Sequence, residues 1–272
     1  MGLLRDEQVH DLSEDFRSLS AFLEVWMENA DQITSSGRIW PRAAVNWLPP
    51  VDPTARVFAI AQNYPAHAAE YGGPRPPAPV IFLKPSSSLA PPDGDIELPA
   101  VSSFFDYEGE LGVVIGRPGR NISPERALEY VAGYTICNDG SARDLQNTIL
   151  AGKPTIDWFS AKAIDNSSPV GPWIVTRDEV SDPQNLRIQT RLNGDAVQDD
   201  RTSSMVFSIA EQVAYISKRL TIRPGDLIAT GTPAGVGKAR GRALRPGDEL
   251  EIEIERIGVL RSRFTTSMGA LS

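Results

Sequence analysis

After residue 50 the sequence breaks into short runs of β-forming residues closed by Gly, Pro or an Asn-Asp pair, and this punctuation limits the fold more than any other feature. Candidate strands are VFAIAQ (57–62), VIFLKP (80–85), LGVVIG (111–116), AGYTICND (132–139), IQTRLNG (188–194) and DLIATG (226–231). Many short strands with few helices between them predict a β-rich α+β chain built on a sheet or barrel, and exclude a doubly wound parallel sheet. A last long strand, DELEIEIERIGVLRSRF, alternates at its start. Leu250, Ile252 and Ile254 face one side, and Glu249, Glu251, Glu253 and Glu255 the other, so the acid run reads as the wet face of a half-solvated antiparallel strand. Two RPGD tetrapeptides, at 223–226 and 245–248, place Pro-Gly in type II turn positions ahead of strands.

A few helices interrupt the chain. Phe16, Leu19, Phe22, Leu23 and Trp26 fall at helical spacing within 14–33, with acids following Ser13. Ser123-Pro124 begins a second helix that Gly133 ends. Ser208 and Glu211 form a capping box ahead of Val213, Ile216 and Leu220. The turn-rich stretch GRIWPRAAVNWLPPVDP suggests a boundary near residue 50. Residues 1–52 are then a small helical or irregular appendage packed on a main domain, 53–272. GTPAGVG has the glycines of a loop without the GK[ST] of a P-loop, and no GxGxxG follows a strand.

Bulk properties narrow the partners. The 35 acids and 27 bases give a net charge of −8 with no strongly basic stretch, so no nucleic acid partner is expected. The single cysteine, Cys137, excludes an internal disulfide framework and fits a reducing compartment. MGLLRDEQVHDLSEDF lacks the basic start and apolar core of a signal peptide, and no window of 18 apolar residues occurs, so a cytoplasmic protein outside the membrane is expected.

The chemistry concentrates in acids set among apolar residues. In FFDYEGELGVVIG, Glu108 and Glu110 share a strand face, with Asp106 just ahead. Asp139 closes GYTICND, at the end of another candidate strand. Three carboxylates form a hard oxygen set suited to Mg²⁺ or Mn²⁺, whereas Zn²⁺ would want Cys or His nearby. Salt-bridged or solvated acids have the same spacing. Of the two histidines, His10 lies in a polar stretch and reads as a surface residue, while His67 follows a strand in AQNYPAHAAEYGG, with Glu70 on the same helical face. A carboxylate beside an imidazole fixes its tautomer and raises its basicity, although a solvated helix pair looks identical in sequence. Gly72 and Gly73 end this short helix, and the prolines of GGPRPPAP would let it move as a lid.

Together these segments resemble the fumarylacetoacetate hydrolase family. NYPAHAAEYG is similar to its N-Y-x-x-H-x-x-E segment, and FLKPSSSL, DYEGELGVVIG, GYTICNDGSARDLQ, AKAIDNSSPVGP and PGDLIATGTPAGVG follow in the family's order, from about residue 55 to 265. The resemblance implies a mixed, rolled β-sheet with short helices, bound Mg²⁺ or Mn²⁺, a homodimer, and a 2-oxo acid or 1,3-diketo acid substrate. It implies that Glu108, Glu110 and Asp139 are metal ligands, His67 and Glu70 a base dyad, Lys162 the active-site lysine, and Arg143, Gln146 and Thr232 substrate contacts. The implied reaction is hydrolysis of a C–C bond in an acylpyruvate-like substrate through an enolate held at the metal. A buried Lys162 near that ion would have a lowered pKa. Isomerisation, decarboxylation or lyase chemistry on a 2-oxo diacid could use the same groups, and a binding protein could retain the fold. Lys84 is either cavity-lining or structural, Cys137, Tyr64 and Tyr107 read as packing residues, and Arg143 could instead pair with Asp139 or nearby acids. Two departures stand out: Ala61-Gln62 replaces the family's Gly-Leu before Asn63-Tyr64, and Asp165-Asn166-Ser167 lacks its aromatic.

Overall fold

The computed structural model describes residues 1–29, 33, 37–70, 72 and 76–266. The chain opens with a three-stranded antiparallel sheet of β1 (Gly2–Arg5), β2 (Gln8–Asp11) and β3 (Ile39–Pro41), with helix α1 (Leu19–Asn29) inserted before β3. The helical or irregular appendage expected here is corrected to a sheet carrying a helix. Its strands are three or four residues long and lack fully buried positions, so no apolar run announces them. The helix also starts later than residue 14. Asp52, 33 positions beyond Leu19, accepts the Leu19 and Ser20 N–H groups at 2.8 and 2.9 Å, and the Ser18 hydroxyl accepts from Ala21. Ser13 instead donates its N–H to Asp11. The expected run to residue 33 crosses 30–32, which lie outside the described residues. The buried face of α1, Phe22, Leu23 and Met27, packs with Leu12, which follows β2, and with Val57, Val114 and Leu227 of the main sheet.

Beyond this unit the chain alternates strands with short helices. In order come β4 (Val57–Ala61), α2 (Pro65–Glu70), β5 (Val80–Lys84), β6 (Leu89–Ala90), β7 (Gly94–Glu97), β8 (Phe105–Asp106), β9 (Gly109–Ile115), β10 (Val131–Asn138), β11 (Ser141–Ala142), β12 (Asn147–Leu150) and β13 (Lys153–Ile156). Then follow α3 (Trp158–Lys162), β14 (Ser168–Thr176), β15 (Arg187–Leu192), β16 (Asp195–Arg201), α4 (Ile209–Ser217), β17 (Leu227–Ala229), β18 (Glu249–Ile254) and β19 (Gly258–Thr265). One sheet has the order β5-β4-β17-β9-β10-β14-β6 and mixes parallel with antiparallel pairs. The second has the order β16-β15-β18-β19-β7. Leu111, Val113 and Ile136 of the first sheet and Ile188, Leu250, Ile252 and Phe264 of the second share one buried apolar cluster. The sheets approach each other closely at the start of β9, where a Cβ on Gly109 would lie 2.4 Å from the Thr190 hydroxyl oxygen. Glycine between Glu108 and Glu110 is what lets that strand end sit against the second sheet.

The long final strand expected over 248–264 is a hairpin: β18 and β19 pair antiparallel, with Ile254 opposite Gly258. Its turn uses Arg256 at φ +65°, a conformation for which the sequence offers no Gly or Asn signal. Similarly, the helix opened by Pro124 is a 3-10 turn ending at Tyr130, and Gly133 lies inside β10. A Cβ at Gly133 would sit 2.2 Å from the Val175 carbonyl oxygen, so this glycine serves strand packing. Both RPGD turns form, with Gly225 at φ +83° and Gly247 at +90°, and the Ser208–Glu211 capping box is present. Among the described residues no helix is long and apolar enough to cross a membrane.

Candidate active site

Strand register gathers the acids. In the β9–β10 pair Glu110 lies opposite Cys137 and Gly109 opposite Asn138, and one step further the Asp139 N–H donates to the Glu108 carbonyl at 2.9 Å. Glu108 and Glu110 share a face by the two-residue period, so Asp139 and Cys137 project to that face from across the ladder. Oxygens of Glu108, Glu110 and Asp139 all lie within 4.8 Å of one another, and all three residues are buried. Three buried carboxylates at this spacing need a positive centre, and their hard oxygens suit a divalent cation such as Mg²⁺ or Mn²⁺. The donor set therefore fits the ion that the sequence implied.

Three cations already face the cluster. The Lys162 ammonium donates to Glu108 and Asp139, both at 2.7 Å, and Lys84 donates to Asp139 at 2.6 Å and to the Lys162 carbonyl at 2.7 Å. The Arg143 guanidinium donates to Asp106 at 2.8 Å and Glu108 at 2.5 Å. The partners split the carboxyls electrostatically. Burial would raise the Glu108 pKa, but Arg143 and Lys162 hold it well below the usual carboxylate range. Burial, Asp139 and Glu108 push Glu110 up, against one N–H from Gly231 at 2.8 Å. Lys162 departs from expectation here. Burial lowers it, yet the adjacent Asp139 and Glu108 carboxylates outweigh burial and raise it. Lys84, with Asp139 as its only direct carboxylate partner, is lowered by burial. Lys162 is set by the short helix α3, which Asp157 caps through Ser160. Trp158 of that helix stacks on Phe82 of β5, with centroids 4.5 Å apart, and Lys162 lies over the same Phe82 ring at 5.6 Å.

His67 and Glu70 are in contact on α2, with His67 Nδ1 2.8 Å from Glu70 Oε2. In the tautomer whose Nδ1–H donates to this carboxylate, Nε2 is the ring nitrogen that carries the lone pair. Helix α2 ends at Glu70, with Gly72 at φ +65°, and Gly73 lies outside the described residues. The other oxygen of Glu70 accepts the Gly235 N–H at 2.7 Å. This belongs to a wider arrangement that the sequence reading missed. The loop after β17 also gives its Gly231 N–H to Glu110, and its Gly237 and Lys238 N–H groups to Asp106. Gly231 and Gly235 have φ of +95° and +107°, and a Cβ on Gly235 would lie 1.9 Å from the Val197 carbonyl oxygen. The glycines of GTPAGVG thus frame the site with backbone donors.

A single cavity is lined by His67, Glu108, Glu110, Asp139 and Lys162 together with Arg143, Gln146, Thr232, Gln62, Trp158 and Lys238. All the site residues read from the sequence are brought together there except Glu70, which reaches it through His67. Gln146, which lines the cavity, keeps a buried Oε1 with no hydrogen-bond partner among the described residues. The Thr232 hydroxyl donates to the Gly109 carbonyl and accepts from Gln198, so it braces β9 as well as lining the cavity. Gln62 stands at φ +54° on the cavity wall. Asp165 accepts from Ser87 and pairs two loops. Cys137 is buried with its thiol pushed up by burial, in keeping with packing. The sequence leaves Asp106 unassigned and Lys84 open between a cavity-lining and a structural role, because their partners lie 37 and 55 positions away.

Residues 56–265 match the protein family described as fumarylacetoacetate (FAA) hydrolase C-terminal. Human oxaloacetate tautomerase FAHD2A, mitochondrial, is 42% identical over 224 residues, 82% of this chain and 70% of its own. The structure of 2-hydroxyhepta-2,4-diene-1,7-dioate isomerase from Mycobacterium marinum is 40% identical with a TM-score of 0.73, covering 86% of this chain and 83% of that one. Fumarylpyruvate hydrolase from Pseudomonas aeruginosa, solved with Mn²⁺ and pyruvate, is 30% identical with a TM-score of 0.70, covering 86% and 94%.

Proposed function

The chain belongs to the fumarylacetoacetate hydrolase family, and from that premise we propose that it is a divalent-metal-dependent hydrolase cleaving a C–C bond in an acylpyruvate-like 2-oxo acid. The observation that carries this reading is that His67, paired with Glu70 behind it, lines the same cavity as the three acids and Lys162, since a base dyad is what water activation needs. Glu108, Glu110 and Asp139 would hold the Mg²⁺ or Mn²⁺, which when bound polarises the 2-oxo acid and holds it in place.

The residues then divide the work. His67 Nε2, its tautomer fixed by Glu70, takes a proton from water, and the resulting hydroxide adds to the distal carbonyl carbon. Lys162 donates to the oxygen on which negative charge gathers, and a raised pKa keeps it a donor. The C–C bond breaks with its electron pair leaving on the pyruvate-like fragment as an enolate. The proton held by His67 returns to that carbon, and the acyl fragment departs as a carboxylic acid. Gln146 and Arg143 line the wall against which the substrate would be oriented.

A second reading is isomerisation or tautomerisation of a 2-oxo diacid. It is supported by the greater identity to the isomerase and the tautomerase, 40% and 42%, than to the hydrolase, 30%. A proton shift needs the same base and no attacking water. Acetylpyruvate and fumarylpyruvate with Mg²⁺, followed by loss of the diketo absorbance and by pyruvate release, separate the two. One pyruvate per substrate, abolished by chelator, supports hydrolysis; loss of absorbance without pyruvate supports isomerisation. Glu110→Ala should lose metal binding, while His67→Ala should bind metal and lose about 10²–10⁴-fold in hydrolysis. A wild-type rate in His67→Ala removes the base assignment.

The chain is also proposed to act as a homodimer. Ile149 and Leu150 on the β12–β13 hairpin are each 66% exposed, and Phe159 beside it is 78% exposed. A lone two-stranded hairpin carrying such residues next to the cavity fits an arm that packs on a second copy.

A further inference from the structure

The cavity lining carries charges of both signs. Glu108, Glu110 and Asp139 are its only acidic lining residues among the described ones, and the remaining charged lining groups, His67 aside, are Arg143, Lys162 and Lys238. Lys238 is half-buried and was not among the groups singled out from the sequence. Its backbone is fixed: the Gly237 and Lys238 N–H groups donate to the two oxygens of Asp106, at 2.7 and 3.0 Å, and the same carboxylate holds Arg143. Only glycine fits at 237, where a Cβ would lie 2.3 Å from the Arg242 carbonyl oxygen and 2.5 Å from Asp106. Burial and the Arg143 guanidinium lower the Lys238 pKa, and Asp106 opposes them more weakly, so this ammonium stands in a positive field.

Charge balance says what that field is for. Asp106, Glu108, Glu110 and Asp139 are matched by Lys84, Arg143, Lys162 and Lys238. A divalent cation on the three acids adds two positive charges that the protein's own groups leave unmet. The carboxylate of Glu70 offsets little of this, being partly exposed and already shared between His67 and the Gly235 N–H. A 2-oxo monoacid would bring one negative charge against that excess, and a 2-oxo diacid would bring two.

Resting on the function proposed above, we propose that Lys238 is a specificity-determining residue that receives the far carboxylate of a 2-oxo dicarboxylic acid, so that the site selects dianionic over monoanionic substrates. The test uses the Mg²⁺-loaded protein and two unreactive probes of equal chain length, 2-oxoglutarate and 2-oxopentanoate, with affinities from isothermal titration calorimetry. Wild type should bind 2-oxoglutarate about tenfold more tightly or better, the worth of one charge-assisted pair. Lys238→Met should reduce that ratio to about twofold, and Lys238→Arg should keep most of it. No preference in wild type, or the same preference in Lys238→Met, overturns the assignment. If 2-oxopentanoate binds only with Mg²⁺ but the diacid gains nothing, the Lys238 assignment alone falls. If neither probe responds to Mg²⁺ or chelator, the metal-dependent reading falls with it.

Discussion

Glu108 and Glu110 lie two positions apart on one strand face, yet their surroundings move them in opposite directions: two cations hold the first down, and two acids with burial push the second up. Identical side chains acquire different chemistry from their partners, and those partners come from distant sequence. A simpler case tests the same logic away from the metal site. Asp144 lies on the segment that carries Arg143 and Gln146, and it accepts the Ser103 N–H together with the Ser102 and Ser103 hydroxyls. Burial alone would raise it, but these hydrogen bonds bring it down to about 2. Its folded pKa therefore lies below its unfolded one, near 3.9. The stability it contributes is present above pH 4 and is lost as the pH falls towards 2. Urea midpoints from pH 5 to 2 should converge for wild type and Asp144→Asn across that window. A gap that stays constant with pH would remove the charge from the account.

At the scale of elements, the segments that carry the site were legible because motif order places them. The strands β4, β5, β9, β10, β15 and β17 form close to where short β-runs end at turn residues. What could not be read was pairing. Nothing local sets Glu108 opposite Asp139, and the donors that brace the carboxylates come from a loop 121 positions beyond Glu110 and 165 beyond Glu70. The β18–β19 turn was hidden because Arg256 takes a conformation usually left to Gly or Asn. The start of α1 was misplaced because its cap, Asp52, lies beyond β3. The β12–β13 hairpin is legible only in three dimensions, as apolar side chains with no apolar surroundings. If it packs on a second copy, Leu150→Glu buries a charge at that contact. Sedimentation equilibrium should then report two chains for wild type and a shift to one for the variant, with the far-ultraviolet circular dichroism unchanged. A wild-type protein that sediments as one chain at micromolar concentration removes the homodimer.

For the molecule as a whole, the proposed cation site lies on the ladder that joins β9 to β10, between the central strands of the larger sheet. Unfolding separates those strands, so an ion that binds all three acids binds the native state and not the unfolded chain. Mass action then sets the gain: at about a hundred times its dissociation constant, the ion adds about 2.7 kcal/mol. For a chain of this length that corresponds to a rise in Tm of roughly 5 °C. Glu110→Gln is the informative variant, because it keeps the shape and relieves the repulsion from Asp139 and Glu108 that raises this carboxyl. Its metal-free form should be at least as stable as wild type, while its response to Mg²⁺ should largely vanish. Thermal unfolding of both proteins with Mg²⁺ and with chelator gives the two increments directly. Equal increments would mean that the ion stabilises the fold from somewhere other than this cluster, and the acids would then be a salt-bridged network held by Lys162, Lys84 and Arg143. An increment confined to wild type makes the same three carboxylates both the clamp on the sheet and the floor of the site.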